Sequence, residues 1–299
     1  MDGASAPFPC HFVGDGGAFM FWQTTRHRID LITPRVMGIV NVTPDSFSDG
    51  GSFAQTNAAI EHCRRLIDEG ADILDIGGES SRPGAQPVPL ETERRRVLPV
   101  LEAALTMGCA VSLDTTKPAL MFEALALGVD IVNDINSLQA PGAVEVVASH
   151  PQCGVCLMHM RGDPASMQSL AVYDDVVVEV KNALASRVEA LEAAGVRSER
   201  IVLDPGIGFG KSVTHNLDLL RRQRELLSMG RPLLTGWSRK STLGAITGRN
   251  ADERLAASLS AAMASVLNGA SIVRVHDVAA TVDALKILLA AGFLAAHSN

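Results

Sequence analysis

Residues 110–134 read AVSLDTTKPALMFEALALGVDIVND. Ala110–Leu113 is a short apolar run that ends on a charge, Asp114. Pro118–Leu127 is a ten-residue helical pattern, and Gly128 follows where a left-handed residue is wanted to close a helix. Ile131–Val132 is the next apolar run, and it ends on Asn133 and Asp134. The order is strand, helix, strand, and it repeats outward in both directions. Apolar runs recur at Val36–Val42, Ile73–Ile76, Val155–Met158, Ile201–Leu203, Leu233–Leu234 and Ile272–Val275. Continuous apolar strands are those buried on both faces, as in parallel sheets. Helical patterns lie between them at Asn57–Glu69, Glu91–Thr106, Ala143–Ser149, Asp174–Ala194, Leu217–Ser228, Asp252–Asn268 and Val278–Ala290. Gly70, Gly108, Gly195 and Gly269 punctuate helix ends as Gly128 does. Eight strand–helix units in succession predict an α/β fold, a (β/α)8 TIM barrel, with a doubly wound sheet as the alternative.

The rest of the chain bounds what such a barrel could do. Its 299 residues are one large domain or two small ones, and 47% hydrophobic with 20% charged residues is the balance of a chain with a large core. We read 1–20, rich in Gly, Pro and Ala, as a flexible extension and 21–299 as one barrel domain. Phe21–Arg26 and Arg28–Leu31 are expected to pair as a short N-terminal hairpin covering the bottom of the barrel. Aromatics are only 4%, too few for a base-stacking platform, and a net charge of −7 argues against nucleic acid as a partner. Five cysteines, an odd number in a chain of this size, predict reduced thiols and a cytoplasmic setting. No secretory leader pattern and no membrane-spanning run is expected.

Chemistry in a barrel is built at the C-terminal ends of the strands, so the residues that follow each run carry the function. They include Asn41, Asp75, Asp114, Asn133, Asp204, Arg274 and His276. Any one Asp here reads as a helix cap or loop anchor, as we expect for Asp45, Asp134 and Asp277. Jointly, Asp114, Asn133 and Asp204 offer acceptors and an amide for a nitrogen-rich heterocycle. Arg82, Lys240, Arg274 and His276 offer cations for phosphate. The Gly206–Gly210 run lacks the spacing and acidic ribose reader of a dinucleotide fingerprint. Cys153 and Cys156 have metal or redox spacing but run into a strand with no second pair, and His159 is expected to support a loop.

The strand-end motifs are specific. MGIVNVTPDSFSDGG at 37–51 and DIGGESSRPG at 75–84 closely resemble the first two signatures of dihydropteroate synthases. DTTKP at 114–118, VNDI at 132–135, MHM at 158–160, DPGIGFGK at 204–211, SRKS at 238–241 and RVHDV at 274–278 resemble the others, in order. Ser81 stands where Thr is common and Ile207 where Phe is common; both keep the chemistry. The resemblance implies condensation of 6-hydroxymethyl-7,8-dihydropterin diphosphate with 4-aminobenzoate to 7,8-dihydropteroate and diphosphate, a step of folate synthesis and a sulfonamide target. It implies Mg²⁺ as cofactor, with Asn41 as metal contact, and a homodimer.

On that reading Asp114, Asn133, Ile135, Met158, Asp204, Phe209, Lys240 and Arg274 face the pterin. Asn41, Ser81, Arg82, Arg274 and His276 face the diphosphate. Phe47, Ser81, Arg82, Pro83, Phe209, Lys240 and Ser241 face the aminobenzoate, whose carboxylate meets a short helix N-terminus at Ser241. Asp114, Lys240, Arg274 and His276 carry the catalysis. The loops Thr43–Phe53 and Ser80–Gln86 are expected to close over the second substrate. Two relatives compete. A methyltetrahydrofolate-dependent corrinoid methyltransferase should lack the SRKS and SRPG motifs, and a catalytically inactive pterin binder should have lost Lys240, Arg82 or Arg274. The helix over Asp252–Asn268, small or apolar nearly all round, predicts a second protein surface.

Overall fold

The computed structural model describes residues 20–43, 52–82 and 84–294. A two-stranded antiparallel hairpin comes first, β1 (Phe21–Gln23) with β2 (Arg28–Asp30). Eight parallel strands follow: β3 (Arg35–Asn41), β4 (Ile73–Gly77), β5 (Ala110–Asp114), β6 (Ile131–Asp134), β7 (Gly154–Met158), β8 (Ile201–Asp204), β9 (Leu233–Thr235) and β10 (Ala270–Val275). They close into a barrel, with β10 pairing β3 through Val275 and Gly38. The expected (β/α)8 architecture is the one observed, each run of the sequence becoming one stave.

The helices are α1 (Ser52–Asp68), α2 (Leu90–Ala104), α3 (Pro118–Leu127), α4 (Ala143–Ser149), α5 (Val176–Ala193), α6 (Val213–Arg221), α7 (Ser241–Thr247), α8 (Leu255–Leu267) and α9 (Val278–Ala290). Three helix starts differ from the sequence expectation by three residues or more, the first being α1, which begins at Ser52 and not at Asn57. The expected helix Leu217–Ser228 is α6 followed by a separate 3-10 segment, Gln223–Met229. The cause is local: Ser212 accepts from His215 N–H and the His215 ring answers Ser212 N–H, so a capping box starts the helix four residues early. The expected helix from Asp252 begins instead at Leu255, after a 3-10 turn over Ala251–Glu253.

Alternation along each strand sorts the side chains into layers. Val36, Val40, Leu74, Ile76, Val111 and Leu113 face the helices and belong to the outer core. The opposite set faces the barrel axis. Its lowest layer is Met37, Ile73, Ala110 and Ile131, joined by Trp22 from the hairpin. Trp22 is 0% exposed and donates from Nε1 to the carbonyl of Arg200 at 2.8 Å. It lies against Gly154, where a Cβ would stand 3.0 Å from Nε1. The hairpin therefore plugs the bottom. The layer above turns polar, with Asp75, Ser112, Asn133 and Cys156, all buried. The top layer holds Asn41, Gly77, Asp114, Met158 and Asp204, the upper ends of five staves, with Arg274 one residue before the end of β10. A period of two thus carries apolar residues to the floor and chemistry to the mouth.

Cys63, Cys109, Cys153 and Cys156 are buried free thiols, so the Cys153–Cys156 pair holds no disulfide. Among the described residues no helix is long and apolar enough to cross a membrane.

Candidate active site

Arg274 organises the mouth. It rises from β10 and spreads its guanidinium between two carboxylates, Nε 2.6 Å from Asp75 Oδ2 and Nη2 2.8 Å from Asp114 Oδ2. Asn133, one layer down on β6, donates from Nδ2 to the same Asp75 oxygen at 3.1 Å. One cation serving two buried acids leaves charge uncompensated. Burial pushes the Asp114 carboxyl up to about 7 against the pull of Arg274, and Asp75, Glu93 and Asp134 add to the rise. Asp204 ends β8. Burial raises its pKa too, opposed by the Gly206 N–H, which donates to Oδ1 at 2.7 Å, and by the charges of Lys240, Arg274 and Lys211.

The loop after β8 is built by glycine and lysine. Gly206 has φ +69°, and a Cβ there would lie 1.9 Å from the His159 carbonyl oxygen, so only glycine fits. Lys211, buried, turns back under the loop and donates to the carbonyls of His159, Gly206 and Phe209 at 3.0–3.1 Å, and its Nζ lies 3.0 Å from His159 Nδ1. His159 supports the loop as expected. The loop presents Phe209, and Lys240 Nζ stands 4.1 Å over that ring. Burial pulls the Lys240 ammonium down to about 8, with Asp204 holding it up and Arg274 pressing it lower.

The turn that carries Lys240 is fixed at several points. Arg239 has φ +60°, a left-handed conformation unusual for a residue other than glycine. Its N–H donates to Ser258 Oγ at 3.0 Å, its guanidinium pairs with Asp277, and its carbonyl accepts from Arg254 at 3.0 Å. Asp277 is thus an ion-pair partner and gives α9 no side-chain cap, whereas Asp134 accepts from Asn136 and Leu138 N–H as a loop anchor. Asp45 lies outside the described residues.

His276 requires a correction. From sequence alone it counts among the cations. Burial, with Arg239 and Arg274 nearby, lowers its pKa to about 3, so its imidazole is neutral. Ser238 Oγ accepts the His276 backbone N–H at 3.2 Å and lies 2.9 Å from Nδ1. With that acceptance made, the hydroxyl hydrogen is available to Nδ1, leaving Nε2 to carry the ring proton.

The loop after β4 presents Ser81, half-buried, and Arg82, exposed. Neither side chain makes a hydrogen bond among the described residues. Their loop is anchored from below, where Lys117 binds both Glu79 and the buried Glu93, and from the side, where Gly84 N–H donates to the Pro164 carbonyl. Ile135 is half-buried above β6 and Met158 is 4% exposed at the end of β7. Ser241, exposed, begins α7. Phe47 and Pro83 lie outside the described residues.

Contacts or charge therefore link Asp114, Asn133, Asp204, Phe209, Lys240, Arg274 and His276, and the charge of Arg82 reaches His276, while Asn41, Ser81 and Ser241 make no direct side-chain bonds to the group among the described residues. In the sequence Asp75 stands only as one of the strand ends, with no specific role, and Lys211 and Ser238 stand only within motifs. Asp75 carried a signal, a charge inside an apolar strand. Lys211 and Ser238 carried none beyond their motifs, because their partners are far away in sequence.

The donors at the mouth bear on the Mg²⁺ that the resemblance implies. Among the described residues no group of three or more His, Cys, Asp or Glu side chains could hold a metal. Asn41 offers a neutral amide oxygen at the end of β3 and has no side-chain hydrogen bond among the described residues. One hard oxygen donor fits Mg²⁺, which keeps most of its waters and takes its other ligands from substrate phosphate.

The family model described as "Pterin binding enzyme" matches residues 37–276, which span the barrel from β3 to β10 and carry this mouth. The dihydropteroate synthase of Neisseria meningitidis serogroup B is 52% identical over 277 residues, covering 91% of this chain and 97% of that one. The structure of Xanthomonas albilineans dihydropteroate synthase with 4-aminobenzoic acid is similar at a TM-score of 0.86 and 46% identity, covering 91% of this chain and 98% of that one. The same enzyme in complex with 7,8-dihydropteroate is similar at a TM-score of 0.83 and 44% identity, over 90% of this chain and 98% of that one. The chain belongs to the dihydropteroate synthase family.

Proposed function

We propose that the chain condenses 6-hydroxymethyl-7,8-dihydropterin diphosphate with 4-aminobenzoate, giving 7,8-dihydropteroate and diphosphate. The observation that carries the reading is the convergence of Asp114, Asn133, Asp204, Lys240 and Arg274 on one barrel mouth, in a chain whose relatives bear that name. The corrinoid methyltransferase alternative is not favoured by those relatives.

The pterin offers a donor-rich edge. Asp204 takes its N3–H and 2-amino group, because charge-assisted bonds are the stronger kind. Asn133 and Asp114 take the remaining polar ring atoms, and Met158, Ile135 and Phe209 supply apolar walls. Arg274, flat and always charged, serves both the ring face and the diphosphate. His276 donates from Nε2 to a diphosphate oxygen, as a neutral donor, and Ser81 and Arg82 reach the same group. Asn41 would hold Mg²⁺, which when bound supplies charge neutralisation on the departing oxygens.

In the chemical step the bond between the exocyclic methylene and the diphosphate oxygen breaks first, and its electron pair leaves with diphosphate. The dihydropterin ring delocalises the resulting cation, and Asp114, in its anionic form, stabilises it. The amine lone pair of 4-aminobenzoate then forms the C–N bond, and the amine gives up one proton to the departed diphosphate or to water. An aromatic amine needs positioning more than deprotonation. Arg82, Pro83, Phe209 and Phe47 flank its ring, Lys240 lies alongside, and the N-terminus of α7 at Ser241 receives its carboxylate.

Diphosphate release measured with and without 4-aminobenzoate and Mg²⁺ tests the reading. Release that depends on Mg²⁺, with 7,8-dihydropteroate formed only when 4-aminobenzoate is present, is expected, and no release with all components present refutes the reading. We also infer a cytoplasmic homodimer built on α8, which buries Ser258, Ala261, Ala262, Ser265 and Val266 and leaves Leu255, Ala256, Ser260 and Leu267 exposed. A solution mass near 32 kDa at micromolar concentration, that of one 31.6 kDa chain, would overturn the dimer.

A further inference from the structure

Asp75 sits one layer beneath the mouth, 0% exposed, in the middle of a strand whose neighbours are Leu74 and Ile76. A carboxylate so placed is costly unless its bonds are made. Its Oδ2 makes two, to Arg274 Nε at 2.6 Å and to Asn133 Nδ2 at 3.1 Å. Its Oδ1 has no hydrogen-bond partner among the described residues. Both of its partners are side chains that the proposed reaction needs, and both are asymmetric. The guanidinium presents different N–H groups as it rotates, and the Asn133 amide exchanges donor for acceptor when it flips.

We propose that Asp75 is a positioning residue for the condensation. Through Oδ2 it fixes the plane of Arg274 and the amide sense of Asn133, so that the pterin and its diphosphate meet a preset pattern of donors and acceptors. The inference rests on the function proposed above. With Nδ2 committed to Asp75, Asn133 keeps Oδ1 as an acceptor for the ring. With Nε committed, Arg274 can reach Asp114 only through Nη2 and keeps its Nη1 hydrogens for the anion. Asp75 also sets charge. It is one of the negative groups facing Asp114, with Glu93 from α2 and Asp134 from β6, against Arg274 from β10, and its field favours the protonated form of Asp114. A carboxylate with a purely structural role would move stability only, whereas this one also moves the pH at which Asp114 ionises.

Asp75→Asn and Asp75→Glu separate geometry from charge. For Asp75→Asn, expected results are a kcat at least tenfold lower, an unchanged KM for 4-aminobenzoate, and an acidic limb of the pH–kcat/KM profile displaced to lower pH. For Asp75→Glu, which keeps the charge but moves it by one methylene, kcat should fall while the acidic limb stays near that of wild type. Thermal melts of each variant accompany the kinetics. Folded variants with wild-type kcat and an unmoved limb would overturn the inference, and so would a limb that moves equally in both. If neither variant folds, Asp75 is a structural carboxylate and the inference fails. A wild-type chain that releases no diphosphate overturns the proposed function and this inference together. An active wild type beside an indistinguishable Asp75→Asn variant overturns this inference alone.

Discussion

Lys211 Nζ lies 3.0 Å from His159 Nδ1, inside a cage of three carbonyl oxygens, with both side chains buried. The contact joins the loop after β8 to the end of β7, and Asp204 and Phe209 take their places from it. Lys211→Met keeps the bulk of the side chain but strands those oxygens. An unpaired buried acceptor costs about 1–3 kcal/mol. We predict a lower melting temperature and a raised KM for the pterin substrate. Unchanged melting and kinetics would show that the cage does not hold the loop.

Asp204→Asn should abolish pterin binding and leave the fold intact. The amide is nearly isosteric, and the Gly206 N–H keeps its acceptor if the carbonyl oxygen takes the place of Oδ1. What disappears is the charge that the pterin edge meets. Calorimetry with a pterin ligand, alongside a circular dichroism spectrum, checks it, and wild-type affinity would refute the assignment.

Lys240→Ala should lower turnover at least about a hundredfold, the usual scale for removing one preorganised charge from an active site. The measurement is kcat for diphosphate release. A variant turning over at the wild-type rate would remove Lys240 from the machinery, despite its seat over Phe209.

The raised pKa of Asp114 has a signature in stability. With the carboxyl near 7 in the folded protein and about 3.9 when unfolded, the native state holds a proton that the unfolded chain has released. Its contribution therefore falls as pH rises from about 4 through about 7. Asp114→Asn cannot titrate, so its stability relative to wild type should improve across that window. Melts of both proteins between pH 4 and 8 test this, and a constant difference would refute the shift.

Trp22→Ala should cost about 3–5 kcal/mol of stability, the range for deleting a buried aromatic. The plug is at the opposite end from the mouth, so the folded fraction should keep its kinetic constants. Urea denaturation paired with initial rates separates the two, and a large change in kcat at unchanged stability would contradict the division.

The barrel was legible because each stave is a local pattern: an apolar run, a charged or amide end, a helix, a glycine. Asp114, Asn133, Asp204 and Arg274 were legible as site residues for the same reason, being the ends of staves. What escaped reading depends on distance. Arg274 meets Asp75 across 199 positions, and no spacing announces that pairing. The protonation state of His276 escaped as well, because it is decided by burial and by the arginines around it. The early start of α6 escaped because a histidine plays the part usually given to Glu or Gln in a capping box.

The left-handed backbone at Arg239 has a consequence for binding. A turn tied to Ser258, Asp277 and Arg254 has few other shapes to adopt, so the neighbouring ammonium is already aimed before any ligand arrives. Ordering that a looser segment would have to undergo on binding has been completed during folding, and the entropy it would have cost the encounter is absorbed into the stability of the chain.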